Sequence, residues 1–323
     1  MILSKTPLRV SFVGGGTDLP AFFRKNDYGC VISMTIGKYV YLGVNHRFDG
    51  KIRLAYARNE LIETIDEIQN ERMRAALNKT GLKDSIEIFY ISDVPKQMGL
   101  GGSSSFTVGL LNALYAYAGK QAFPERLARE ACEIELEELG NPIGKQDQYA
   151  AAIGGLNYIK FWSNGTVTVE PILIDESLIL SLMENLLFIY LGDSHDASDV
   201  LTDVNWKMVE NTEYLIKMRE ITDQLHKDLL SNDTEQFKVA LKENWLLKKK
   251  TSAKISSTKI DDLYNKAISC GAEAGKVLGA GGGGFLMMYV PKEKQTHFMA
   301  KFSDMKVMRF SISHFGTQIV HKD

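Results

Sequence analysis

The chain has little that would tie it to a membrane, to nucleic acid or to an oxidising compartment. Its three cysteines, Cys30, Cys132 and Cys270, lie far apart and form no CxxC pair. An odd, scattered set argues against a disulfide framework or a structural zinc site and fits a reducing cytoplasm. Neither sign of charge is in excess: 38 Lys and Arg face 40 Asp and Glu, for a net charge of −2. Bulk charge therefore gives no support to a nucleic-acid or anionic-membrane partner. No apolar run reaches the roughly 18 residues of a membrane span, and the opening MILSKTPLRVSF lacks the pattern of a secretory leader. No GxxxxGK[ST] occurs, which removes the Walker type of phosphate loop. No internal repeat or low-complexity tail is evident. What remains is 45% hydrophobic and 24% charged, the composition of a soluble globular protein, and 323 residues allow two domains with proper cores.

Short β-branched or aromatic runs bounded by Gly, Asp or Asn predict strands over 8–13, 30–36, 39–45, 51–56 and 85–92. Helical patterns over 64–79, 104–119 and 124–139 are inserted among them. Segments 155–161 and 166–171 read as a hairpin about Asn164-Gly165. A strand over 185–192 then leads into a long, mainly helical stretch, and strands over 285–290 and 307–312 come near the end. This order predicts α+β layers in both halves, not a doubly wound parallel sheet. The change of pattern near 175 sets two expected domains, 1–175 and 176–323.

Three glycine runs punctuate this order. MGLGGSSSF (98–106) precedes the apolar helical pattern FTVGLLNALYAYAG, so it is a strand–loop–helix junction and not a linker. Glycines at 99, 101 and 102 allow close backbone approach, and Ser103, Ser104 and Ser105 bring hydroxyls to the positive end of a helix dipole. Such a loop is suited to hold phosphate, the plain alternative being a Ser cap after a flexible turn. The first run, VGGGTDLPAFF, follows the first strand. The third, GAGGGG (279–284), matches GxGxxG, but a helical pattern precedes it and a strand follows, the reverse of a dinucleotide fold. Three such runs, each at the end of an element, look like backbone brought close to one ligand set.

Two carboxylates stand out. Projected at about 100° per residue, Glu135 falls in the middle of the apolar face of helix 124–139, while Glu130, Glu133 and Glu137 point outward. A buried carboxylate needs a cation, either a metal ion or a nearby Arg or Lys. Asp147, in GNPIGKQDQYAAAIGG (140–155), is either a first-turn Asp favoured by the helix dipole or a group placed to accept a hydroxyl proton near the phosphate loop. Phosphate cradle, metal ligand, base and cation are the parts of a kinase.

TPLRVSFVGGGTDL, VPKQMGLGGSSSFTVGLL and VLGAGGGGFLMMYV, in this order and with GNPIGKQDQ between them, resemble the three motifs of the GHMP small-molecule kinase superfamily over nearly the whole chain. The resemblance implies ATP and Mg2+ as cofactors, with Gly99, Leu100, Gly101, Gly102, Ser103, Ser104 and Ser105 around the ATP phosphates. It places the magnesium-binding hydroxyl on Ser103, with Ser104 its nearest rival, the magnesium carboxylate on Glu135, and the catalytic pair on Asp147 and Arg9. Asp147 then either takes the proton or orients the hydroxyl, and this sequence has one extra residue in its loop. The implied fold pairs an N-terminal domain like ribosomal protein S5 domain 2 with a ferredoxin-like C-terminal domain, the site between them.

Galactokinases carry Gly-Glu-His-Thr-Asp in the first motif, whereas this chain has Gly14-Gly15-Gly16-Thr17-Asp18. Two missing side chains leave room and expose amides for a larger or phosphorylated sugar. Within the superfamily the chain looks most like the D-glycero-D-manno-heptose 7-phosphate kinase branch. That implies transfer to the anomeric O1, giving a 1,7-bisphosphate for nucleotide-activated heptose in capsule or lipopolysaccharide. The substrate side is expected to involve residues 14–18, Gly281, Gly282 and Gly283. It also takes in Ser194 and His195 of GDSHDASDVL (192–201), a segment whose plainer reading is a capped helix start. A sugar phosphate is the expected partner, with no nucleic acid or membrane, and a homodimer is one open possibility. Two alternatives stand beside this: a kinase of an unphosphorylated fucose- or galactose-type sugar, and a non-catalytic sensor on the same fold.

Overall fold

The computed structural model describes residues 1–192 and 197–323. Its first layer is an eight-stranded mixed sheet. β1 (Ile2–Val13) pairs antiparallel with β2 (Tyr28–His46), with the short helix α1 (Pro20–Phe23) between them. β3 (Ile52–Ala55), β4 (Asn59–Ile62), α2 (Glu71–Thr80) and β5 (Ile86–Ser92) follow, and the sheet runs β12-β1-β2-β5-β3-β4. β6 (Leu156–Trp162) and β7 (Val167–Pro171) form the expected hairpin and pair on through β2.

The two strands expected over 30–36 and 39–45 are one long strand. Its first part pairs with β6 and its second with β5, and the register against β1 slips between Pro7 and Leu8, opposite Gly37 and Lys38. Extra residues on one strand of an antiparallel pair bend it without ending it. The helix expected over 64–79 resolves into a 3-10 turn at Ile65–Glu67 and then α2.

α3 (Gly102–Tyr117) lies across this sheet. Eleven of its residues are buried, so it is a core helix with apolar residues on most sides. The region 124–139 is α4 (Pro124–Cys132) followed by a π-helical turn, Glu133–Glu138. α5 (Gln146–Ile153) then leads to β6. One outward assignment fails: Glu130 is 7% exposed. It accepts from the Tyr115 hydroxyl of α3 at 2.8 Å, a partner that no projection of its own helix reveals, and from Arg126 Nε, one turn earlier on α4, at 2.8 Å.

The second layer starts with α6 (Glu176–Glu184) and β8 (Leu186–Tyr190). The helices α7 (Ala197–Trp206), α8 (Met208–Leu230), α9 (Gln236–Thr251) and α10 (Thr258–Ser269) lead to β9 (Ala274–Val277) and β10 (Phe285–Tyr289). α11 (Gln295–Lys301) and β11 (Val307–Met308) complete it. The antiparallel sheet β11-β8-β10-β9 has the 4-1-3-2 order of a ferredoxin-like unit. The element just before the third glycine run is therefore the strand β9 and not a helix, so that run is the bend of a β9–β10 hairpin. The expected boundary at 175/176 falls between β7 and α6, yet β12 (Gln318–Lys322) crosses back and pairs with β1. Among the described residues no helix is long and apolar enough to cross a membrane.

Candidate active site

One cavity of about 490 Å³ opens between the layers, within the size range of small-ligand sites. β1 brings Arg9 to it. The Arg9 amide donates to the Leu100 carbonyl at 3.0 Å, and its Nη1 donates to the Gly99 carbonyl at 2.6 Å, tying strand to loop. Asp147, in the first turn of α5, accepts from Arg9 Nε through Oδ1 and from Nη2 through Oδ2, both at 2.7 Å. A two-pronged Arg–carboxylate contact fixes both groups in one plane. Arg9 is buried, while the Asp147 side chain keeps 23% exposure beside the cavity it lines. The two residues expected to share the chemistry do meet.

Residues Gly99 to Ser104 line the same cavity. Gly101 caps α3, so the first amides of that helix have no intrahelical acceptor and are free for an anion. Ser105 departs from expectation. Its amide donates to the Gly101 carbonyl and its buried hydroxyl to the Pro7 carbonyl at 2.8 Å, so it anchors the helix to β1.

The other two glycine runs divide into lining and support. Gly15, Gly16 and Asp18 line the cavity. Gly14 donates its amide to Asn244 Oδ1 at 2.9 Å, and the Thr17 hydroxyl lies 2.8 Å from the Gly14 and Cys30 carbonyls, so both hold the loop from behind. Asp18 accepts from the Gly16 amide at 2.9 Å and from Gln146 Nε2 at 3.0 Å. Burial pushes its carboxyl up, and the Asp147 charge adds to the rise. In the third run Gly279 and Ala280 reach the cavity, whereas the expected Gly281, Gly282 and Gly283 are absent from its lining. Gly281 packs on Ile255, and the Gly282 amide donates to the Ile255 carbonyl at 2.9 Å, so they join the hairpin to the segment after α9. Ser194 and His195 lie outside the described residues.

Glu135 is fully buried on the π-helical turn. Its Oε1 accepts from Arg72 Nε at 3.0 Å and the Thr107 hydroxyl at 2.9 Å. Its Oε2 accepts from the Ser104 hydroxyl at 2.8 Å and Gln148 Nε2 at 2.6 Å. The alternative of an ion pair is thus present, but its arginine stands at the cavity: Arg72 lines it with Ser104. The hydroxyl on Glu135 belongs to Ser104, one residue beyond Ser103, which is exposed. Carboxylate and hydroxyl oxygens at a phosphate loop are donors of the kind Mg2+ takes alongside substrate phosphates. Four donors fill the four lone-pair positions of the carboxylate. Arg72, with its side chain 33% exposed, is the partner a divalent cation can replace. The residues fit the metal on that condition.

Four cations that line the cavity were not singled out from the sequence: Arg72, Lys96, Lys248 and Lys276. Lys248 sits within a run of three lysines that reads as a solvated face. A signal existed, because the buried stripe Phe237, Leu241, Asn244, Trp245 of α9 continues at helical spacing through Lys248. At the far end Tyr56, Tyr90 and Phe106 supply an aromatic wall, with Tyr90 and Phe106 edge to face at 5.2 Å.

An anion-binding helix end, a carboxylate held by arginine and an enclosing cavity meet the needs of phosphoryl transfer to a small acceptor. The class is a small-molecule kinase. The family description "GHMP kinases N terminal domain" matches residues 61–155, and "GHMP kinases C terminal" matches 225–304. The chain is 30% identical over 308 residues to D-glycero-alpha-D-manno-heptose 7-phosphate kinase of Campylobacter jejuni, covering 91% of each. It is 23% identical to a galactokinase of Pyrococcus furiosus over 94% of this chain and 95% of that one. A crystal structure described as a D-glycero-D-manno-heptose 1-phosphate kinase from Bacteriodes thetaiotaomicron superposes with a TM-score of 0.82 at 26% identity, covering 100% of both chains. The chain belongs to the GHMP kinase family, whose members are ATP-dependent kinases.

Proposed function

We propose that this chain transfers the γ-phosphoryl group of ATP to the anomeric O1 of D-glycero-D-manno-heptose 7-phosphate. The product is the 1,7-bisphosphate, a precursor of nucleotide-activated heptose for capsule or lipopolysaccharide. The coarser part, a sugar-phosphate kinase of the GHMP type, is supported by family membership and by the heptose phosphate kinases of C. jejuni and B. thetaiotaomicron. The observation that carries the chemistry is the Arg9–Asp147 pair beside the α3 amides. The amides and Arg9 meet the charge of the transferring group, and Asp147 takes the proton of the acceptor hydroxyl or orients it. Gly15 and Gly16, in place of the side chains of galactokinases, favour a larger acceptor. Three buried, unpaired cysteines support a cytoplasmic setting.

ADP release under Mg2+ and ATP is to be followed with heptose 7-phosphate, galactose, fucose and mevalonate. Heptose 7-phosphate is expected to give the highest kcat/KM, by about tenfold or more. Preference for a free hexose refutes the substrate and leaves the kinase reading standing.

Ser104 and Glu135 are the residues that would hold Mg2+, which when bound neutralises charge on the β- and γ-phosphate oxygens. In Glu135→Gln the carboxylate charge is gone while the shape remains. Half-saturation by Mg2+ is expected to need about tenfold more metal, and turnover to fall. An unchanged Mg2+ titration sinks the metal assignment.

A further inference from the structure

Two lysines near Arg9 and Asp18 have only carbonyl oxygens as hydrogen-bond partners. Lys248 donates from Nζ to the Gly279 carbonyl, and Lys276 donates to the carbonyls of Ser11 at 2.8 Å and Phe12 at 3.0 Å. They are 7% and 1% exposed, and both line the cavity. Among the described residues neither forms an ion pair with a carboxylate. The charged groups that face them are Arg9 from β1, Asp18 from the loop after it and Asp147 from α5, together with each other. Each oxygen of Asp147 already accepts one bond from Arg9, and Asp18 is shared by the Gly16 amide and Gln146. Three cations thus stand against two carboxylates.

Burying a cation without a counter-ion is costly, and here the cost shows. Burial, with Arg9 next in effect, pushes the Lys248 ammonium down to about 8, and Lys276 is pushed well below its usual range. Unused hydrogen-bonding capacity lies in the same wall: Ser11 Oγ and Gln146 Oε1 are buried without a partner and line the cavity. The nucleotide phosphates have the α3 amides from the first layer. Lys248 comes instead from α9, one turn beyond Asn244, whose side chain holds the Gly14 amide of the first motif.

We propose that Lys248 binds an anionic group carried by the acceptor, its own phosphate, while Ser11 and Gln146 take hydroxyls of the same molecule. This assignment rests on the sugar-phosphate reading and names the residue that selects for it. Lys276 lines the same cavity and is held by the Ser11 and Phe12 carbonyls.

The test compares wild type with Lys248→Met, measuring binding of heptose 7-phosphate and of the unphosphorylated heptose by calorimetry with ADP present. The variant is expected to lose about tenfold to a hundredfold in affinity for the phosphorylated sugar, the range of one charge-assisted contact. Affinities for ADP and for the free sugar should stay within about twofold. Wild-type affinity for the sugar phosphate should weaken as pH rises through about 8, and the variant should not show this dependence. Folding is checked independently. Because the folded-state ammonium is depressed below its ordinary range, it costs stability below about pH 8, a cost relieved as pH rises towards the unfolded value. Lys248→Met should therefore melt no lower than wild type at neutral pH, and Lys248→Gln is the second variant should it aggregate. Equal losses for both sugars, or a loss of ADP affinity alone, overturn the assignment. A wild-type enzyme that binds no sugar phosphate refutes the substrate reading as well, whereas wild-type use of the sugar phosphate with unchanged affinity in Lys248→Met refutes the lysine alone.

Discussion

Asp147→Asn is expected to bind ATP and acceptor nearly as wild type does, yet to turn over at least about a hundredfold more slowly. The carboxylate receives two donors from Arg9, one per oxygen, and each oxygen has a further lone pair for an acceptor hydroxyl. An amide of the same shape turns an N–H group towards either the guanidinium or the acceptor. It loses one prong of the Arg9 contact or the hydroxyl's acceptor, and in both cases the negative charge. Arg9 remains fixed by the Gly99 carbonyl, so the loop should hold and binding should survive. Steady-state kinetics with an independent ADP titration separate the two quantities. Near-normal turnover removes Asp147 from the chemistry, and a loss of ADP affinity that matches the loss of rate makes it a support for the loop.

Gly101→Val should abolish nucleotide binding while the melting temperature falls only modestly. Gly101 caps α3 at φ 74°, a left-handed conformation that β-branched residues rarely adopt. Space is short as well: a Cβ there would lie 3.1 Å from Arg9 Cγ and 3.3 Å from Asp147 Oδ2. Valine must therefore either turn the cap, and with it the first amides of the helix, or push Arg9 and Asp147 apart. At least about a hundredfold loss of ADP affinity by calorimetry is the expected reading, with Gly101→Ala intermediate. Unchanged affinity in the valine variant would mean that the phosphates do not sit on this loop.

Asp147 and the 98–106 loop are legible in the sequence because local pattern places each at the start of a helix, whereas Arg9, inside β1, is reached only through the resemblance of the first motif. Glu135 is legible because a charge interrupts an apolar face, although the π-helical turn that carries it follows no simple projection. Arg72 is different. It stands second in a helix otherwise rich in polar residues, and only the fold brings it to a carboxylate 63 positions away. The same holds for Lys276, whose carbonyl partners belong to β1, some 265 residues earlier. Short strands fail for another reason. β9 and β12 have four and five residues, too few to show a period, and each is defined by its pairing partner. The sheets, in contrast, are readable where apolar strands are flanked by turn residues, as in β5 and the second half of β1, whose first half, residues 2–7, lies outside the expected strand.

The return of β12 to β1 bears on how the chain acquires its shape. Ile2 pairs with Lys322 and Lys5 with Gln318, so the start of β1 is paired on that side by a segment more than three hundred residues downstream. Contacts of such sequence separation are slow to form, since the loop they close must be ordered first. Until they form, β1 presents unpaired backbone groups, the feature through which strands recruit other chains. The alternation near the start of β1, with Ser4 and Thr6 buried and Leu3 and Lys5 half-buried, keeps that transient edge from being uniformly apolar. Aggregation during synthesis, more than instability of the finished fold, is where substitutions in either strand would first be felt.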